Sequence, residues 1–181
     1  MGTAIGLDLR EPWVATDAVD EFFEWLRTVD ARFSTYRADS QVSRLRSGEI
    51  ALVDADPDLT EMLELCEQVR LVSDGVFDVW THHRDGLDPS GLVKGWSIDG
   101  GAEILREGGA RNFCINAGGD VLAIGEASPG VAWRVGIRHP VEADKVAGVV
   151  AASDPAVATS AAYERGEHIL NALMKMPPVS C

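Results

Sequence analysis

Apolar residues recur every three or four positions between Val19 and Val29: Val19, Phe22, Phe23, Leu26 and Val29, with Asp20, Glu21, Glu24 and Arg27 between them. That spacing predicts an amphipathic helix with one buried face, begun by a cap at Thr16 or Asp17. A second stripe, Leu59, Met62, Leu63, Cys66, Val69 and Val72, opens behind Asp56 and Pro57 and closes at Gly75. Proline in the first turn and glycine past the last are the expected ends of a helix. A short helix is expected over residues 41–47, between Ser40 and Gly48, and a long one from Ser90 to Glu107, with a loop over Phe33–Ser40. Beyond Glu107 the period falls to two. Residues 112–117, 121–126, 133–140, 145–153 and 156–161 read as short strands, and residues 2–10 as an opening strand stopped by Pro12. Helices first and strands later predict an α+β domain, amphipathic helices packed on a largely antiparallel sheet.

Composition narrows the function classes. The chain has 181 residues, about one domain's worth. A net charge of −13 opposes phosphate backbones and anionic membrane surfaces. A small anion is still accommodated wherever a lysine, a helix start or a metal ion reverses the field locally. Cys66, Cys114 and Cys181 are far apart and form no C-x-x-C pair, so neither a zinc site nor a disulfide framework is indicated. No apolar run reaches the roughly 18 residues of a membrane span. The start "MGTAIGLDLR" lacks a signal peptide's charged end and apolar core. The chain as it stands reads as cytoplasmic, and as membrane-associated or exported if a leader has been lost.

The scarcest charge is the most informative. Only three of the sixteen basic residues are lysines, and Lys94 lies within "DPSGLVKGW", Asp88–Trp96. Pro89 and Ser90 suit a helix start, whose N–H groups favour an anion, and Lys94 falls one turn in. Gly91 and Gly95 allow close approach. Taken alone, the stretch is equally a capped helix whose lysine runs along apolar surface to water. "NAGGD", Asn116–Asp120, is by itself a Gly-Gly hairpin turn or a backbone surface open to a flat or phosphorylated ligand. "GVFDVW", Gly75–Trp80, sets Asp78 among large apolar side chains, where an aspartate commonly binds nearby backbone N–H groups. His82 and His83 are adjacent with no further ligand cluster, which speaks against a metal site there. No G-x-S-x-G elbow is present, so a serine hydrolase is not suggested.

The order of these pieces resembles the ApbE-type flavin transferases, the FAD:protein FMN transferases. Eight short motifs carry the resemblance: Met1–Thr3, Phe33–Arg37 with Ser40, Gly75–Asp78, Asp88–Gly95, Asn116–Asp120, Trp133–Ile137, Ala156–Ser160 and His168–Leu170. "DPSGLVKGW", "NAGGD" and "YERGEHI" look especially like short actinobacterial-type members. The resemblance covers residues 1–170 as a flavin-transferase domain and leaves 171–181 as an off-family tail.

It implies a reaction in which FAD is split at its pyrophosphate. The FMN half passes to a threonine hydroxyl of an acceptor flavoprotein, AMP leaves, and Mg²⁺ assists. By the same resemblance, Met1, Tyr36, Val76, Phe77, Asp78, Asp88, Lys94 and Leu170 fall on FAD-contact positions. The Gly91 carbonyl falls on an Mg²⁺-holding position, and His168 on the general base or metal-site organiser. One departure stands out. Family members continue from the histidine through H-I-[apolar]-D-P-x-T-G to an A-D-x-x-A-T segment that supplies side-chain Mg²⁺ ligands, an aspartate and a threonine. Here Asn171 stands in place of that aspartate and the chain ends ten residues later. The expectation is therefore a C-terminally truncated domain that transfers FMN. The alternatives are an FAD-binding protein without turnover and a pyrophosphatase giving FMN and AMP.

Overall fold

The computed structural model describes residues 3–14, 16–80, 86–142, 144–152 and 156–159. Met1, His168 and Leu170 lie outside them, as do His82 and His83. The chain divides into two compact units, one of residues 23–97 and one of residues 3–22 with 98–159, and the divisions fall within the first and last helices.

The first unit is helical. It takes most of α1 (Thr16–Phe33), all of α2 (Gln41–Arg46) and α3 (Pro57–Val72), and the start of α4 (Ser90–Glu107). Its core gathers Val29, Phe33, Val42, Leu59, Met62, Cys66, Val79, Leu87 and Val93, with Trp25, Phe77 and Trp96 packed against it. The expected stripe on α3 holds for Leu59, Met62 and Cys66 but fades at its end, where Val72 is 84% exposed. Ser40 caps α2 as expected: its hydroxyl accepts the Ser43 N–H at 3.0 Å and donates to the Ser34 carbonyl at 2.6 Å. Asp56 sits at the start of α3 but makes no capping bond with its side chain. Its carboxylate instead receives the Gln41 amide and pairs with Arg32, which also binds Asp58. A charged partner competes for the same oxygens more strongly than a backbone N–H does. Gly75 closes α3 by donating its N–H to the Arg70 carbonyl at 2.8 Å.

The second unit is built on strands, all paired antiparallel. One sheet runs β1 (Ile5–Leu9), β2 (Phe113–Ala117), β3 (Asp120–Ile124) and β7 (Ala156–Val157); β4 (Glu126–Ser128), β5 (Val131–Arg138) and β6 (Val146–Ala152) form the other. The expected α+β class, helices with a largely antiparallel sheet, is thus observed. Strand β4 was not anticipated, because three residues are too few for a period to register. Phe113, Ile115 and Ala117 alternate inward along β2 and are fully buried. Cys114 points the other way, toward Ala123 and Trp133, and is half-buried. Glu11 is buried as well. Its Oε1 accepts the Asn112 amide at 2.6 Å, while Oε2 has no partner among the described residues. The same Asn112 accepts the Glu126 N–H at 2.7 Å, so one side chain ties β4 to the chain entering β2.

Candidate functional site

In the helical unit the fold joins two of the stretches that the sequence singles out. Phe77 follows the end of α3, and Gly91 is the second residue of α4. A Cβ on Gly91 would lie 3.0 Å from Phe77 Cε2, so the ring packs directly on the bare α-carbon. The Asp88 N–H donates to the Val79 carbonyl at 2.8 Å, a second tie between the same two segments. The Asp78 carboxylate accepts the Trp80 N–H at 2.7 Å, and the Asp88 carboxylate accepts the Ser90 N–H at 2.9 Å. Both aspartates therefore shape their own turns through short Asx bonds.

The start of α4 is more occupied than the sequence implies. Ser90 N–H goes to Asp88, and the Leu92 and Val93 N–H groups go to the Pro89 carbonyl at 2.9 and 3.1 Å. The Gly91 N–H between them has no acceptor among the described residues, and Gly91 itself is exposed. Lys94 is half-buried one turn further on. Behind it, Ser97 is wholly buried, donates its hydroxyl to the Lys94 carbonyl at 2.8 Å, and accepts the Trp25 indole N–H on its own carbonyl at 2.8 Å. Trp25 and Phe33 in turn pack on Trp96, with ring centroids 5.0 and 5.5 Å away. Trp25 and Ser97 had no sequence signal, because a long-range bond to a helix carbonyl leaves none.

Of the other candidates, Val76 is 58% exposed and Tyr36 91% exposed. Tyr36 lies on the loop after α1, its N–H donating to Ser34 Oγ at 3.3 Å. Next to it Arg37 binds Asp39 twice, and that hydrogen bonding and charge hold the Asp39 carboxyl below the usual carboxylate range.

Magnesium asks for hard oxygen ligands in near-octahedral array. Among the described residues no group of three or more His, Cys, Asp or Glu is placed to hold a metal ion. The Gly91 carbonyl, four residues before Gly95 in α4, points along the axis in the direction of the helix's own bonding. The described residues therefore do not make a magnesium cage.

In the strand unit three further motifs meet. Gly118 and Gly119 form the two-residue turn between β2 and β3 with φ of 58° and 95°. Two left-handed residues are what a type I′ hairpin requires. A Cβ on Gly118 would overlap Thr3 Oγ1. Thr159 donates its hydroxyl to the Gly119 carbonyl and its N–H to the Asp120 carboxylate, both at 2.8 Å. Asn116 Oδ1 accepts the Gly119 N–H at 3.0 Å. The Thr3 and Thr159 roles are visible only once the strands are paired.

Comparison with known proteins bears on the family and the fold. The ApbE family model matches residues 1–85 and 80–177. The FAD:protein FMN transferase of Vibrio cholerae is 35% identical over 78 residues, 42% of this chain and 23% of that protein. The enzyme of the same name from Haemophilus influenzae is 29% identical over 79 residues, again 42% of this chain and 23% of its own. The matched segment thus spans about a quarter of the length of these curated relatives. Among solved structures, the flavin transferase ApbE from Vibrio cholerae superposes with a TM-score of 0.81 at 21% identity, covering 98% of this chain and 75% of that one. The ApbE protein from Thermotoga maritima gives 0.82 at 19%, covering 97% and 75%. The apo flavinyl transferase ApbE from Pseudomonas stutzeri gives 0.78 at 21%, covering 99% and 73%. These likenesses establish the fold, and the family match over most of the sequence establishes membership: the chain belongs to the ApbE family.

Proposed function

We propose that the chain binds FAD at the start of α4 and transfers its FMN half to a threonine hydroxyl of an acceptor flavoprotein. The observation that carries this reading is the junction of Phe77 on Gly91. It sets an apolar ring beside the exposed residue Gly91, with Lys94 one turn further along the same helix. The family's relatives named FAD:protein FMN transferase support the reaction class.

In this reading Lys94 and the Gly91 N–H meet the bridging phosphates, where opposite charge and a backbone donor act together. Asp88 carries like charge to a phosphate, so its complement on the dinucleotide is a hydroxyl or a ring N–H. It also fixes the first turn of α4 through Ser90. The threonine oxygen bonds to the phosphorus on the FMN side, the pyrophosphate P–O bond breaks, and AMP departs with the electron pair. His168 is the residue we assign to take the threonine proton. Mg²⁺, when bound, would neutralise pyrophosphate charge. The described residues supply it no carboxylate set, so no step here is derived through it.

The test is incubation with FAD, Mg²⁺ and an acceptor peptide bearing a threonine, read by mass spectrometry. A gain of one FMN supports transfer. FMN and AMP released without that gain mean hydrolysis, and intact bound FAD means a binder. Lys94→Ala should weaken FAD binding about tenfold, the scale of one charge-assisted contact. Unchanged affinity would remove Lys94 from the site.

A further inference from the structure

Five tryptophans are spread along the chain, and four are readily accounted for or lie elsewhere. Trp25 and Trp96 stack on each other in the helical core, with the Trp25 N–H bound to Ser97. Trp133 is buried, donates to the Ile124 carbonyl at 2.9 Å, and lies beneath Arg10, whose guanidinium carbon is 4.7 Å from the ring centroid. Trp13 is exposed in the strand unit. Trp80 is 53% exposed in the helical unit.

The peptide group that joins Val79 to Trp80 is held at both its carbonyl and its N–H. Its N–H is bound by the Asp78 carboxylate, and the preceding Val79, itself buried, has its carbonyl bound by the Asp88 N–H. Two residues earlier, Phe77 rests on Gly91. An open indole on a backbone fixed by both candidate ligand-binding segments has only its own side-chain torsions to order when a flat partner arrives. Among the described residues, Trp80 leaves half its surface in water while Val79 beside it fills the core.

We infer that Trp80 is a further ligand-contacting residue, whose indole stacks on a planar heteroaromatic ring of the bound dinucleotide. The inference rests on the FAD-binding reading above. Aromatic stacking on a base contributes enough that removing the ring weakens binding by roughly tenfold.

The experiment is calorimetric titration of FAD, FMN and ADP into wild type, Trp80→Leu, Trp80→Phe and Lys94→Ala, each verified as folded by circular dichroism. Trp80→Leu should bind FAD roughly tenfold more weakly, and Trp80→Phe should stay within about threefold of wild type. A loss shared with FMN but not ADP assigns the isoalloxazine as the stacked ring, and a loss shared with ADP but not FMN assigns the adenine. Should Trp80→Leu not fold, 5-fluorotryptophan-labelled wild type gives the same answer by fluorine NMR: the resonance absent from Trp80→Phe must shift when FAD is added. Wild-type affinity for all three ligands in Trp80→Leu, or an unmoved resonance, overturns the inference while leaving FAD binding intact. A wild-type protein that fails to bind FAD overturns the functional reading together with it.

Discussion

The helical unit and the strand unit hold their family motifs in place by different means. In the helical unit the motif residues stand at helix ends, and side chains shape the backbone: Asp78 and Asp88 bind N–H groups two residues on, and Phe77 lies against Gly91. In the strand unit the backbone comes first. The Gly118–Gly119 turn is dictated by the hairpin register, and Thr3 and Thr159 close around it. A site of the first kind can lose a ligand contact and keep its fold, since its aspartates are tied to their own turns. A cluster of the second kind is part of the sheet, so damage there appears as lost stability.

That contrast can be broken in several ways. The largest effect is expected from Asn112→Ala, which removes the amide that Glu11 Oε1 accepts, beside a buried Oε2 already without a partner among the described residues. It should lower unfolding free energy by about 3 kcal/mol, measured by urea denaturation. Gly118→Ala follows, at about 2 kcal/mol, because a side chain meets both a left-handed backbone and Thr3. If either variant lost FAD affinity at unchanged stability, the two units would not differ as described.

Gly91→Ala is the converse. Its Cβ meets the edge of the half-buried Phe77 ring, a cost that alanine's higher helix propensity offsets, so stability should stay within about 0.5 kcal/mol while FAD affinity falls about fivefold, roughly 1 kcal/mol. Ser40→Ala tests whether the helical unit's caps contribute to stability at all. It should cost about 1 kcal/mol in the same denaturation assay, with FAD affinity unaltered.

The smallest effect concerns Cys66, whose thiol burial pushes up to about 11 from an ordinary 9.0. Keeping it neutral favours the folded state fully below that ordinary value, and the benefit is lost as pH rises through about 11. In native protein at pH 8, Cys66 should be silent toward a disulfide reagent and react only after denaturation. Prompt reaction would show that the helical core is more open than Leu59, Met62 and Cys66 suggest.

The elements themselves were legible wherever a period ran long enough. α4 begins at Ser90 as expected, whereas Thr16, expected with Asp17 as a cap, is already the first helical residue of α1. The α3 stripe over-extends to Val72, since periodicity continues where there is no longer anything to pack against. Asp56 has the right type for a cap and the right place, yet Arg32, twenty-four residues earlier, takes its carboxylate. Of the candidate site, the local pieces were readable: Phe77, Asp78, Asp88, Gly91 and Lys94 belong to short stretches whose turn chemistry is written in sequence. Their meeting was not, because Phe77 touching Gly91 depends on how α3 ends and α4 begins in space.

Sequence alone determined where the four α-helices and the longer strands lie and which family order the motifs follow, since each rests on neighbours within a few residues, but not the three-residue strand β4. Tertiary structure alone decided that Phe77 covers Gly91, that Thr159 locks the Gly119 turn, that Trp25 reaches the Ser97 carbonyl, and that Trp80 is left open. Contacts of that kind join residues far apart in the chain, and their geometry is fixed only when the elements between them have packed.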